Sequence, residues 1–136
     1  MLISVSKLHK KYGARTAVSN LSFSVERGEV VGFLGPNGAG KSTTLRILAG
    51  FLAPTSGSVT IGGFDVERDP DAARAAIGYM PEGVPLYPEM RVAEYLGFRA
   101  ELKGVARSSR RRAIYEAMER AIVLDVANVP IAKLSK

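Results

Sequence analysis

Nine consecutive residues, Gly35-Pro36-Asn37-Gly38-Ala39-Gly40-Lys41-Ser42-Thr43, bring together what polyphosphate chemistry needs: a flexible loop, a cation and a hydroxyl. They match the spacing G-x-x-x-x-G-K-[ST]. Glycines let the backbone wrap closely around phosphates and turn successive N–H groups inward, and a helix starting at the lysine adds unpaired N–H groups and the positive end of its dipole. Lys41 is the candidate catalytic cation, a mobile point charge for the β- and γ-phosphates. Ser42 is the candidate metal ligand, offering its hydroxyl to Mg²⁺. Gly35, Pro36, Asn37, Gly38, Ala39, Gly40, Lys41, Ser42 and Thr43 together form the expected phosphate-binding segment.

The pattern has mechanical meaning only between a strand and a helix. Val30-Val31-Gly32-Phe33-Leu34 is a short, β-branched apolar run that predicts a buried strand, and Ser42 to Gly50 predicts a helix ending at glycine. Upstream, Leu2 to Leu8 and Ala17 to Val25 alternate apolar and polar residues and predict two antiparallel strands joined around Tyr12-Gly13. Glu26-Arg27-Gly28-Glu29 and Ala53 to Gly57 read as turns, Ser58 to Ile61 as a strand, and Gly62-Gly63 as a further turn. Asp69-Pro70-Asp71 opens a short helix with an N-cap residue and a proline at the first helical position, and Ile77 to Met80 predicts another strand. Pro81 to Pro88 is a proline-stiffened loop, followed by a helix whose apolar face carries Val92, Tyr95, Leu96 and Leu102. A last helix starts in the arginine run 107–112 and continues through Ala113, Ile114, Ala117, Met118, Ala121 and Ile122.

Composition narrows the classes. The chain has 136 residues, 46% hydrophobic and 24% charged, enough for one core yet short for a mainly parallel nucleotide-binding domain. It has no cysteine, which excludes disulfides and thiolate metal sites. No apolar stretch approaches the ~20 residues of a membrane span, so a membrane role must come through a partner. The net charge of +6 raises nucleic acid as a partner, but no aromatic residues interleave with the arginine run, so a solvated helix face is the expectation and nucleic acid is not expected among the partners.

With these elements in order, the chain resembles the N-terminal part of the nucleotide-binding subunit of an ATP-binding-cassette (ABC) transporter. Leu8 to Gly13 resembles the family's opening strand, GPNGAGKST is its form of the phosphate loop, Pro54-Thr55-Ser56-Gly57 with Gly62-Gly63 resembles its β-subdomain, and Gly78-Tyr79-Met80-Pro81-Glu82 falls at its Q-loop. The resemblance implies an α/β P-loop NTPase domain with a mixed or parallel core sheet, an N-terminal antiparallel β-subdomain and the start of a helical subdomain, truncated. Residues 1–80 would hold the nucleotide-binding core and β-subdomain, and residues 81–136 the Q-loop and helical subdomain.

The resemblance also assigns roles. Tyr12 would stack on adenine, and the nucleotide the family implies is ATP with Mg²⁺ beside it; aromatic stacking tolerates any base, so Tyr12 by itself does not separate ATP from GTP. Glu82 stands where the commoner pattern has glutamine; a carboxylate can also ligate Mg²⁺, and the surrounding Met80 to Met90 resembles ATPases paired with ABC-2-type permeases. Partners would be a membrane permease subunit and a second ATPase subunit, identical or related, which places the chain peripherally at the cytoplasmic face of the membrane. Asp125 lies ahead of the signature-like segment and so does not match the family's Mg²⁺-holding aspartate, and His9 lies too far upstream to match its switch histidine. Leu134-Ser135-Lys136 resembles the first three residues of a variant LSGGQ-like signature, so the parent is expected to be a Mg²⁺-dependent ATPase and the 136-residue chain alone inactive, with exposed sheet edges. Two other readings stay open: a soluble ABC protein of translation or DNA repair, and a regulatory nucleotide-binding module without turnover.

Overall fold

The computed structural model describes residues 1–83 and 85–134, so Val84 and the Ser135-Lys136 part of the signature-like segment lie outside the described residues. The chain forms two compact units, Met1–Met80 and Pro81–Lys136.

In the first unit, β1 (Ile3–Tyr12) and β2 (Arg15–Val25) form a hairpin around Gly13-Ala14. With β3 (Ser56–Ile61) and β4 (Phe64–Asp65) they make an antiparallel sheet in the order β2-β1-β3-β4. Strict alternation would put Lys7 on the face that buries Val5, but the ladder shifts register between Val5 and Leu8 and Lys7 takes a left-handed φ of 48°. The bulge re-phases the strand and buries Leu8 completely. Asn20, at φ 50°, sits at the corresponding shift in β2, between core residues Val18 and Leu21. Gly57 of β3 lies against the bulge: a Cβ there would collide with the Lys7 carbonyl. The sheet face packs Val5, Leu8, Val18, Val59 and Ile61 against Ile47 and Leu48 of α1 (Lys41–Leu48) and Ala73 of α2 (Pro70–Ala75). Pro70 opens α2 as expected, but Asp69 makes no capping bond; Asp65 Oδ1 instead accepts from the N–H groups of Glu67 and Arg68.

Two expected strands are corrected. Residues 30–34 and 77–80 have no regular structure, and Val30 and Leu34 are each 96% exposed. A strand is stabilised by neighbours on its hydrogen-bonding edges, and every described strand is committed to the antiparallel sheet. Side chains still anchor these segments: Phe33 sets its ring edge-on to Phe23 at 5.2 Å, Ile77 packs against the core, and the Tyr79 ring lies 5.3 Å from that of Phe51.

The second unit pairs α3 (Val92–Leu102) with α4 (Arg107–Arg120). Glu94 Oε2 accepts from the Arg91 N–H at 2.9 Å, closing the first turn of α3. Arg110 donates to the Val105 carbonyl at 2.9 Å and pairs with Glu101 at 3.3 Å, tying α4 to the end of α3. The helical pattern expected to run to Ile122 stops at Arg120, where Ile122 turns to φ 56° and is exposed. Of the arginine run, Arg112 pairs with Glu116 at 2.7 Å along the helix, and its hydrogen bond, then its charge, hold the Glu116 carboxyl below the usual carboxylate range. Asp125 lies in a single 3₁₀ turn, Leu124–Val126.

The buried and stranded leucines should respond differently. In this chain Leu8→Ala should lower the unfolding free energy by about 2–5 kcal/mol, whereas Leu34→Ala should change it by less than about 0.5 kcal/mol. Urea midpoints of the two variants check this; equal losses would mean that residues 30–34 are buried after all.

Candidate functional site

The glycine segment forms an exposed loop on the first unit that ends directly in α1. Its conformation is one only glycine tolerates, with φ 149° at Gly35, 85° at Gly38 and 87° at Gly40. Gly40 has a second constraint. A Cβ there would run into the carbonyl oxygen of Ala17 and come within 3.1 Å of Val18 Cγ2 on β2. The β1–β2 ladder skips Ala17, passing from Lys10↔Val18 to Lys11↔Thr16, and this bulge puts the Ala17 carbonyl against the loop. The Ala39 N–H closes a turn on the Pro36 carbonyl at 3.2 Å.

Gly40 is the N-cap of α1 and makes no side-chain cap, and the first turn holds no acidic residue. The Thr44 N–H and hydroxyl both donate to the Gly40 carbonyl, at 2.8 and 2.9 Å, which fixes the turn from inside because Thr44 is buried. The N–H groups of Lys41, Ser42 and Thr43 precede the first intrahelical bond and face the positive end of the helix. Lys41 folds back: its Nζ donates to the carbonyl oxygens of Gly35 and, at 2.8 Å, of Pro36. Ser42 is exposed beside it, and Asn37 and Ala39 are exposed in the loop. The open N–H groups, the ammonium and the uncapped helix start fit an anionic phosphate chain, and a hydroxyl oxygen at Ser42 is a donor of the hard type that Mg²⁺ takes.

Tyr12 ends β1 at the hairpin, 47% exposed, with Lys10 Nζ 5.4 Å from its ring centroid. Lys10 is held there by a 2.7 Å bond to the Ala53 carbonyl. Across the hairpin Tyr12 pairs with Arg15, whose guanidinium reaches the loop at Gly38. Sequence reasoning singles out neither Lys10 nor Arg15; the signal for both was the hairpin itself, which brings the residues flanking Tyr12-Gly13 to one end of the sheet. Glu82 belongs to the second unit, exposed in the segment ahead of α3. His9 is half-buried on β1, and no group of three or more His, Cys, Asp or Glu able to hold a metal occurs among the described residues.

A glycine loop running into a helix beside an antiparallel sheet defines a P-loop NTPase-like mixed α/β domain, and the comparisons with known proteins give it a family. The profile described as ABC transporter matches residues 18–136, so the chain belongs to the ABC transporter family, as an ATP-binding domain. It is 35% identical over 118 residues to the linearmycin resistance ATP-binding protein LnrL of Bacillus subtilis, covering 87% of this chain and 38% of LnrL. It is 37% identical over 134 residues to the Nod factor export ATP-binding protein I of Ralstonia nicotianae, covering 98% of this chain and 42% of that protein. A solved structure described as the ATP binding subunit of an ABC transporter superposes with a TM-score of 0.84 at 30% identity, over all of this chain and 57% of that one. The chain thus spans less than half the length of these two curated relatives.

The contact at Gly40 generates an ordering of glycine variants. Gly13→Ala meets no neighbour and should cost only the left-handed backbone penalty, about 1–2 kcal/mol. Gly40→Ala should cost about 1–3 kcal/mol more, because β2 must move. Thermal unfolding of both variants tests the order; equal costs would mean that the loop does not bear on β2.

Proposed function

We propose that this chain is the nucleotide-binding part of an ABC transporter ATPase of the exporter type, which couples ATP binding and hydrolysis to transport through a partner permease. The observation that carries the reading is the exposed loop Gly35–Thr43, seated on β2 at Gly40 and running into an uncapped helix with Lys41 at its first position. The names of its relatives, linearmycin resistance and Nod factor export, support export, and the Pro81-Glu82 sequence supports an ABC-2-type permease as partner.

When bound, ATP supplies the scissile phosphoanhydride and Mg²⁺ neutralises its terminal oxygens. The chain's own residues bind and orient. The N–H groups of the loop and of Lys41, Ser42 and Thr43 take phosphate oxygens, and Lys41 exchanges its carbonyl partners for phosphate charge. Ser42 presents its hydroxyl to the metal, Glu82 adds a carboxylate toward it, and the Tyr12 ring offers a face to adenine. Residues 1–80 serve as nucleotide core and β-subdomain, and residues 81–136 as the Q-loop and helical part that meets the permease. The working unit is a pair of ATPase subunits held at the cytoplasmic face of the membrane by the permease; no described helix is long and apolar enough to cross it.

In the protein assembled with its permease, Lys41→Ala should abolish hydrolysis and weaken ATP binding, and Tyr12→Ala should cost about 1–3 kcal/mol of nucleotide affinity. Wild-type turnover in the Lys41 variant refutes the reading, and salt-sensitive RNA or DNA binding without a co-purifying membrane protein favours a soluble ABC protein instead.

Glu82→Gln should change the Mg²⁺ dependence of hydrolysis more than metal-free nucleotide binding, because a neutral amide is the weaker ligand for a hard cation. Unchanged metal dependence and transport would remove Glu82 from the site.

A further inference from the structure

Arg15 opens β2 immediately after the hairpin turn, paired with Tyr12. Its Nη2 lies 3.6 Å from the point that a Cβ on Gly38 would occupy. Three other arginines of the chain hold a carboxylate: Arg74 pairs with Asp71, Arg110 with Glu101 and Arg112 with Glu116. Arg15 takes part in no ion pair among the described residues. Its guanidinium instead lies against the glycine loop at Gly38. That loop runs into the positive end of α1, whose first turn carries no acid, and it holds the Lys41 ammonium on its Gly35 and Pro36 carbonyls. A second cation placed against such a loop is unfavourable unless an anion lies between them.

The position is also built. The bulge that omits Ala17 from the ladder seats its carbonyl on Gly40, so the first residues of β2 run along the loop, with Ala17 at Gly40 and Arg15 at Gly38. At Gly38 the guanidinium nitrogen is, among the described residues, the only heavy atom within 4 Å of that Cβ point apart from the adjacent residues. A planar guanidinium suits phosphate, whose oxygens it can take in pairs.

We propose that Arg15 is a further nucleotide-binding residue, its guanidinium holding phosphate oxygens of a nucleoside di- or triphosphate that lies along Gly35–Thr43. This rests on the reading of that loop as the nucleotide site and adds a second side-chain cation, supplied by the strand beside Tyr12. Arg15 contributes to affinity through the polyphosphate, whereas Tyr12 contributes through the base.

The test is calorimetric titration of this chain and its variants with ATP, ADP and adenosine. Arg15→Gln should weaken ATP and ADP on the order of tenfold, with adenosine unchanged, and Arg15→Lys should recover part of the loss and keep the charge while losing the fork. Unchanged ATP and ADP affinity in Arg15→Gln overturns the proposal. Equal weakening of ATP and adenosine also overturns it, since Arg15 would then act by supporting the hairpin and Tyr12. Failure of the underlying reading looks different: if the unmodified chain does not bind ATP, or Lys41→Ala binds it as well as the unmodified chain, the loop is not the phosphate site and the role of Arg15 falls with it. Arg15 is exposed, so the urea midpoint of Arg15→Gln should match that of the unmodified chain.

Discussion

The backbone of β2 and the backbone of the glycine loop touch at Gly40, and the rest of the site follows from that approach. With no side chain there, the Ala17 carbonyl and Val18 can lie directly on the loop; with one, either the strand or the loop must retreat. Because Gly40 is also the N-cap of α1, the same contact sets where the helix begins. Helix position in turn decides where the N–H groups of Lys41, Ser42 and Thr43 face. Thr44, buried and bonded twice to the Gly40 carbonyl, locks the turn from the core side. A loop whose glycines could each visit many conformations is thereby held in one, at an entropy cost already met before any ligand arrives.

The sheet supplies this contact through its irregularities. Bulges at Lys7 and Asn20 bring Leu8 and Leu21 back to the core side of β1 and β2, and the skip at Ala17 occurs where β2 meets the loop. A regular hairpin of the same length would bury Lys7 and expose Leu8. Removing the apolar area of a leucine from water contributes about 1.5–3 kcal/mol, against roughly 1–2 kcal/mol for a left-handed φ at Lys7, and the regular alternative would also take the Lys7 charge out of water. The bulge is therefore the lower-energy arrangement, and Gly57 of β3 leaves room for it.

What could be read from the residues and what could not divides along the same physics. Local rules gave the hairpin at Tyr12-Gly13, the glycine loop and α1, the turn at Gly62-Gly63, the proline start of α2 and both helices of the second unit, because caps, turn residues and 3.6-residue periodicity act over a few neighbours. The same rules put strands at Val30–Leu34 and Ile77–Met80, where apolar, β-branched composition is genuine but the hydrogen-bonding partners it needs are not local. Composition speaks for burial; pairing is a property of the whole sheet. The bulges escaped for a related reason, since a single extra residue changes which face is buried without changing composition. Arg15 was illegible on its own. An arginine after a turn is ordinary until a strand contact places it on the loop.

Lys41 connects loop order to ligand chemistry. Its ammonium is engaged by the Gly35 and Pro36 carbonyls, so the loop is closed on itself by its own cation. Neutral carbonyl acceptors hold an ammonium less strongly than phosphate oxygens, whose charge-assisted bonds are roughly twice as strong. In the proposed site the exchange from carbonyl to phosphate would favour the bound ligand, with the Thr44–Gly40 bonds holding the start of α1. Such a loop would discriminate by charge: a ligand without phosphates has nothing to offer in place of the two carbonyls, and the resting contact persists. In the proposed site base recognition would fall to the hairpin end of the sheet at Tyr12, with its two halves on separate elements joined at the Ala17–Gly40 contact.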